Sequence, residues 1–138
     1  MAAKWYEKAA NNGNIVSMHN LGLFYKNGDG VDEDHNKAFE LFKQSAEGEN
    51  SDGITMLGYC YENGIGTMVD KQKTFELYQK AANLGNSIAQ YNLAIMYESG
   101  DLSAKDISQA IYWYEESANQ GYQKAQNQLK RLLKKESE

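Results

Sequence analysis

The sequence predicts an all-α solenoid, and three observations carry that prediction. A Leu-Gly pair and its variants recur at Leu21-Gly22, Leu57-Gly58, Leu93-Ala94 and Leu129-Lys130, each 36 residues after the last. A pair of small residues keeps the same phase at Ala9-Ala10, Ser45-Ala46, Ala81-Ala82 and Ser117-Ala118. Between these marks the apolar residues fall at helical spacing, as in Met18, Leu21, Phe24 and Tyr25 and again in Ile54, Leu57, Cys60 and Tyr61. A period of this length, held without insertion, marks supersecondary units that bury their apolar faces only by stacking on one another.

The elements follow in order. Residues 1–14 open at Ala2 and Trp5, in phase with Ala38 and Leu41, and so read as the second helix of a truncated unit. Complete units then occupy 15–50, 51–86 and 87–122. Within each, an amphipathic first helix ends in a glycine-bearing turn: Asn27-Gly28-Asp29-Gly30-Val31, then Asn63-Gly64-Ile65-Gly66, then the degraded Ser99-Gly100-Asp101-Leu102. Asp34, Asp70 and Asp106 precede the second helices, where a carboxylate accepts from backbone N–H groups left without helical partners. Gln109, three residues beyond Asp106, completes the pattern of a capping box. The second helices carry Ala38, Leu41, Phe42 and Ala46, then Phe75, Leu77, Tyr78 and Ala82, then Ala110, Trp113, Tyr114 and Ala118. Small residues alternating with rings let helices approach closely. Gly13, Gly85 and Gly121 close three of these helices, and Gly48 closes the fourth one residue early. Residues 123–138 form a capping helix, apolar on one face and charged on the other, for about eight helices in a single domain. Gly53 falls inside a first helix where the other copies have Ser17, Ala89 and Ala125. An interior glycine costs about 0.5–1 kcal/mol relative to alanine, so Gly53→Ala is expected to stabilise if the site has room for a methyl.

Composition narrows the function. A chain of 138 residues, 41% hydrophobic, is long enough to bury a core. Its net charge of −5 argues against a general polyanion binder, because phosphate affinity comes from clustered Lys and Arg. The basic residues Lys130, Arg131, Lys134 and Lys135 outweigh Glu136 and Glu138 at the C-terminus, where cations favour a helix dipole. Cys60 is the single cysteine. With no apolar leader, no 18-residue apolar run and no Asn-x-Ser/Thr site, the expected compartment is the cytoplasm, away from membranes.

The unit as a whole, Ala-x-x-Leu-Gly-x-x-Tyr, Gly-x-Gly-Val, Asp, then Ala-x-x-Trp/Leu-Tyr/Phe-x-x-Ala-Ala and Gly-Asn, closely resembles the Sel-one-like repeat, a relative of the tetratricopeptide repeat. The resemblance covers nearly the whole chain. It implies a right-handed superhelix of antiparallel helix pairs whose first helices line a concave face. It also implies a role as adaptor or scaffold in signalling or protein quality control; in some fungi such arrays are fused to kinase-like domains. The truncated first unit suggests a piece of a larger protein.

In that geometry the groove positions are Val16, His19, Leu23 and Lys26; Asp52, Thr55, Tyr59 and Glu62; Ile88, Tyr91, Ile95 and Glu98; and Lys124, Asn127 and Arg131. They differ between copies far more than the framework does. Leu23, Tyr59 and Ile95 share a register, with Tyr91 beside it. Such an apolar stripe either receives a partner's helix or extended segment, or packs against neighbouring repeats. As a binding surface it would use Tyr59, Tyr91 and Ile95 as anchors and Lys26, Glu62 and Glu98 to set polarity. A different use of the fold is self-association or docking of a flanking domain through the open apolar end at Trp5.

No catalytic, cofactor or metal site is expected. His19 and His35 lie in different elements without a third ligand at metal spacing. The acidic run Asp29–Asp34 lacks the alternation a calcium loop needs. Gly28-x-Gly30 and Gly64-x-Gly66 lack the third glycine and the Lys-Ser/Thr of phosphate cradles. Some bacterial relatives have been linked to β-lactam binding, yet the chain has no Ser-x-x-Lys. Cys60 occupies an apolar register shared with Phe24, Met96 and Leu132, as a buried thiol does. The ten tyrosines fall mostly on framework positions.

Overall fold

The computed structural model describes residues 34–100 and 105–136, which contain helices and connecting turns with no strand among them. The helices are α1 (His35–Glu47), α2 (Ser51–Asn63), α3 (Lys71–Asn83), α4 (Ser87–Ser99), α5 (Ile107–Asn119) and α6 (Gln123–Glu136). Trp5, Leu21, Gly28, Gly30 and the rest of the acidic run before Asp34 lie outside the described residues, as do the groove positions Val16, His19, Leu23 and Lys26. No described helix is long and apolar enough to cross a membrane. The chain forms two compact units that divide between Leu77 and Tyr78, inside α3.

In the first unit Ala38, Phe42 and Ala46 of α1 and Ile54, Leu57 and Cys60 of α2 are buried, and the two helices pack together. The hairpin from α2 into α3 is closed by backbone and side chain together. Asp70 N–H donates to the Tyr61 carbonyl at 2.9 Å, and the buried Thr74 hydroxyl donates to the Gly58 carbonyl at 3.2 Å. Gly66, at φ +71°, sits so close to α1 that a Cβ would overlap the His35 carbonyl oxygen and stand 2.7 Å from the Phe39 Cβ. Beside it the Phe39 ring meets Tyr61 edge-on at 5.5 Å.

In the second unit the buried set is Tyr78, Ala81 and Ala82 from α3, Ala89, Leu93, Ala94 and Met96 from α4, Ala110, Trp113 and Tyr114 from α5, and Ala125 and Leu132 from α6. Two glutamines one repeat apart make the same bond. Gln90 Nε2 donates to the Ala82 carbonyl at 3.1 Å and Gln126 Nε2 to the Ala118 carbonyl at 3.2 Å, each satisfying an acceptor near the end of the preceding helix. Gln120 Nε2 extends the first of these, donating to Gln90 Oε1 and to the Gly85 carbonyl, both at 2.9 Å.

The capping aspartates behave as expected: Asp34, Asp70 and Asp106 accept from the N–H groups of Lys37, Lys73 and Gln109 at 3.0, 3.1 and 3.0 Å. The capping box at Gln109 does not form, because the Asp106 N–H that it would bind already donates to the Tyr97 carbonyl at 2.9 Å. A second set of caps stands ahead of the first helices, where Asn50 and Asn86 accept from Gly53 and Ala89 N–H at 2.9 Å. The turns before them share one geometry: Asn50, Asn86 and Tyr122 donate to the carbonyls of Ser45, Ala81 and Ser117, five residues back. In that geometry Gly48 caps α1 and stands one residue early, as the sequence has it. The left-handed position, filled by Gly85 and Gly121 in the later copies, falls on Glu49 at φ 59°, while Gly48 has a negative φ of −81°. The turn keeps its phase, and the glycine is the residue that moved.

Candidate functional site

Along a 13-residue first helix, residues seven apart return to one face, and in both α2 and α4 that face is the one left open. In α2 it bears Asp52 and Tyr59, both exposed, while Ile54, Leu57 and Cys60 are buried. In α4 it bears Ile88 and Ile95, 45% and 39% exposed, while Leu93 and Met96 are buried. Two isoleucines one above the other on an open helix face are a surface the core does not use.

The other positions divide. Thr55 does not belong to this surface: it is buried and its hydroxyl donates to the Ser51 carbonyl at 2.8 Å, one turn back. Beta branching and a short hydroxyl suit it to that internal bond. Glu62, part-exposed, stands 4.0 Å from the Lys71 ammonium. Tyr91 is half-buried, its ring 5.8 Å from that of Tyr114 and 5.3 Å from that of Tyr122, so it braces α4 against its neighbours as much as it offers a face. Tyr122 stands where Asn50 and Asn86 cap the earlier first helices, and it contributes a ring in place of an amide. Lys124 and Asn127 are exposed on α6, with Asn127 Oδ1 accepting from Gln123 Nε2 at 2.9 Å.

Glu98 and Arg131 are joined. One carboxylate oxygen of Glu98 accepts from the Tyr114 hydroxyl at 2.9 Å and the other from Arg131 Nη2, while Arg131 Nε donates to Gln128 Oε1 at 2.8 Å. Burial pushes the Glu98 carboxyl up, but the hydrogen bonds from Arg131 and Tyr114 and the charges of Arg131 and Lys105 outweigh it and hold the group below its ordinary 4.5. Burial, and then the bond to Glu98, push the Tyr114 phenol well above its ordinary 10.0. Burial and the Asp106 carboxylate raise Tyr97 as well.

Next to this network lies a groove of about 610 Å³, lined by Ile95, Glu98, Ser99, Lys105, Ile107, Leu132 and Lys135. Ile95, Ile107 and Leu132 make it apolar, and Lys105 and Lys135 stand exposed on it. The sequence singles out Ile95 and Glu98 as first-helix positions and gives no binding role to Lys105 or Lys135, which come from the turn before α5 and from the far end of α6. Among the described residues no group of three or more His, Cys, Asp and Glu is placed to hold a metal ion. Cys60 is fully buried.

The comparisons with known proteins place this architecture. Residues 1–14, 15–50, 51–86 and 87–122 each match the family model of the Sel1 repeat. A Sel1 repeat protein from Oxalobacter formigenes has a similar solved structure, with 35% identity, a TM-score of 0.85 and a match over 92% of this chain and 52% of that one. The protein c5321, a protective antigen present in uropathogenic Escherichia coli strains and displaying an SLR fold, is also 35% identical, with a TM-score of 0.85 over 94% of this chain and 28% of its own. Cysteine rich protein B of Helicobacter pylori is 28% identical, with a TM-score of 0.59 over 63% of this chain and 65% of that one. No curated protein sequence matches. The chain thus spans about half the length of the first solved relative and little more than a quarter of the second. Repeats of this kind form α-solenoids that generally bind protein partners and are typically scaffolds without enzymatic activity. With successive matches running from residue 1 to residue 122, the chain belongs to the Sel1 repeat family.

Proposed function

We propose that the chain is a protein-interaction module, an adaptor or scaffold within a larger regulatory protein, in which each unit offers a partner protein the open faces of its own first helices. The residues assigned to that surface are Asp52, Tyr59 and Glu62 in the first unit and Ile88, Ile95, Glu98, Lys124, Asn127 and Arg131 in the second. One observation carries the reading: Ile88 and Ile95 stay exposed on a helix whose remaining large aliphatic side chains are buried. A helix that served packing alone would place polar residues there. The mechanism is geometric, with rigid helices presenting preorganised side chains so that little ordering is needed on binding. A single cysteine, buried at Cys60, suits the reducing cytoplasm.

The test compares proteins captured by the wild-type chain with those captured by a Tyr59→Ala, Ile88→Ala, Ile95→Ala variant that keeps a cooperative helical melt. Loss of a partner with the variant is the expected result. Equal capture by both would remove this face as the functional surface.

A further inference from the structure

We propose that the groove between the end of α4, the start of α5 and α6 takes a segment of a partner protein in which a large apolar side chain is flanked by carboxylates. The assignment rests on the interaction reading above and adds the chemistry of the ligand.

Charge complementarity is the argument. The chain as a whole carries −5, and residues 1–129 carry −7. The groove has the opposite sign. Its ionisable lining is Lys105, Lys135 and Glu98, and the carboxylate is already committed on one oxygen to Tyr114 and on the other to Arg131. Arg131 keeps 47% of its side chain exposed beside it. With Glu98 and Arg131 offsetting each other, the charge left on the groove is that of the two exposed lysines, Lys105 and Lys135. Between the lysines the surface is apolar, with Ile95 39% exposed above Leu132, which is buried. An apolar anchor seated on Ile95 and Ile107 brings flanking carboxylates within reach of Lys105 and Lys135. A basic segment in the same seat would meet like charge, which works against the wrong partner as strongly as it favours the right one. The groove, at about 610 Å³, has the size of a pocket that receives several side chains.

The test is selection of a random peptide library displayed on phage against the whole chain. The recovered peptides are then labelled with fluorescein and titrated against wild type, a Lys105→Glu, Lys135→Glu variant and Ile95→Asp. The expected result is enrichment of Asp or Glu beside a large apolar residue, binding that weakens with added salt, a loss of about tenfold or more on charge reversal, and no binding by Ile95→Asp. All three positions are exposed, so each variant should still show a cooperative helical melt, which is checked before binding is compared. Neutral or basic peptides that still depend on Ile95 would overturn the acidic assignment and leave the interaction reading standing. Binders indifferent to Ile95 and both lysines, or no binder at all, would remove this groove as a peptide site, and capture by the Tyr59 face would then decide the wider reading.

Discussion

Gly53 of α2 lies directly against Ser45 of α1: a Cβ built on Gly53 would overlap the Ser45 hydroxyl, stand 2.6 Å from the Ser45 Cβ and 3.0 Å from the Ala46 nitrogen. The helix is where the sequence places it, yet the expected gain from alanine is reversed. Relief of about 0.5–1 kcal/mol of helix cost is smaller than the ~1–3 kcal/mol that overpacking costs, and two of the three neighbouring atoms belong to backbone or Cβ and cannot swing away. Gly53→Ala should lower the urea midpoint. Ser45→Ala should not: among the described residues the Ser45 Oγ is buried without a hydrogen-bond partner, whereas its counterpart Ser117 donates to the Ser87 carbonyl at 2.7 Å. Removing an unpartnered hydroxyl should raise stability by about 1 kcal/mol, and the Ser45→Ala, Gly53→Ala pair should still fall below Ser45→Ala alone because the Cβ contact remains. A rise in midpoint on Gly53→Ala would show that α1 and α2 are farther apart than this.

Glu49 holds a left-handed backbone that its repeat counterparts assign to Gly85 and Gly121. A side chain in that region costs roughly 1–2 kcal/mol, partly offset because glycine loses more freedom on folding. Glu49→Gly should therefore stabilise by about 0.5–1 kcal/mol, read as a higher midpoint at unchanged m-value. Gly85→Ala should do the reverse even though its Cβ would meet nothing within 4 Å, since φ 93° is the obstacle and space is not. A lower midpoint for Glu49→Gly would mean that the Glu49 side chain holds the turn more firmly than the backbone opposes it.

The legibility of the sequence follows the same division. Period, helix order and the aspartate caps could be read because each depends on residues near in sequence. The caps at Asn50 and Asn86 are equally local, each three residues ahead of the N–H group it accepts from. What could not be read depends on distance between helices. Thr55 shares a register with Tyr91 and Asn127, yet one is buried, one half-buried and one exposed, because burial is set by the neighbouring helix and not by the repeat position. The groove illustrates this most directly: Lys105 and Lys135 lie 30 residues apart in sequence and no periodicity links them.

The Glu98 network sets a pH dependence at both ends of the scale. Glu98 is held below its ordinary 4.5 in the fold, so its contribution is present above that pH and lost as the pH falls through the lowered value. Tyr114 and Tyr97 are held above their ordinary 10.0, so theirs is complete below pH 10 and lost as the pH rises beyond it. Thermal melts should show a plateau between these limits. Glu98→Gln should flatten the acid limb, and Tyr114→Phe should reduce the alkaline limb while leaving the part due to Tyr97. If Glu98→Gln leaves the acid limb unchanged, the Arg131 and Tyr114 contacts do not bias its titration.

The glutamine chain in the second unit should be cooperative. Gln90 is buried and stands between the Ala82 carbonyl, which it donates to, and Gln120, which donates to it and to the Gly85 carbonyl. Gln90→Leu leaves the Ala82 carbonyl without this donor and removes the acceptor of a Gln120 bond, so a loss of about 1–3 kcal/mol is expected. Gln120 is exposed, and Gln120→Ala alone should cost under about 1 kcal/mol because water replaces its partners. The double variant should fall short of the sum by about 0.5 kcal/mol or more, the mark of two residues in one network. Gln126, part-exposed and bonded at 3.2 Å to the Ala118 carbonyl alone among the described contacts, supplies the control: Gln126→Leu should cost less than Gln90→Leu and be additive with Gln120→Ala. Additivity of Gln90 and Gln120 in urea melts would reduce the chain to independent contacts.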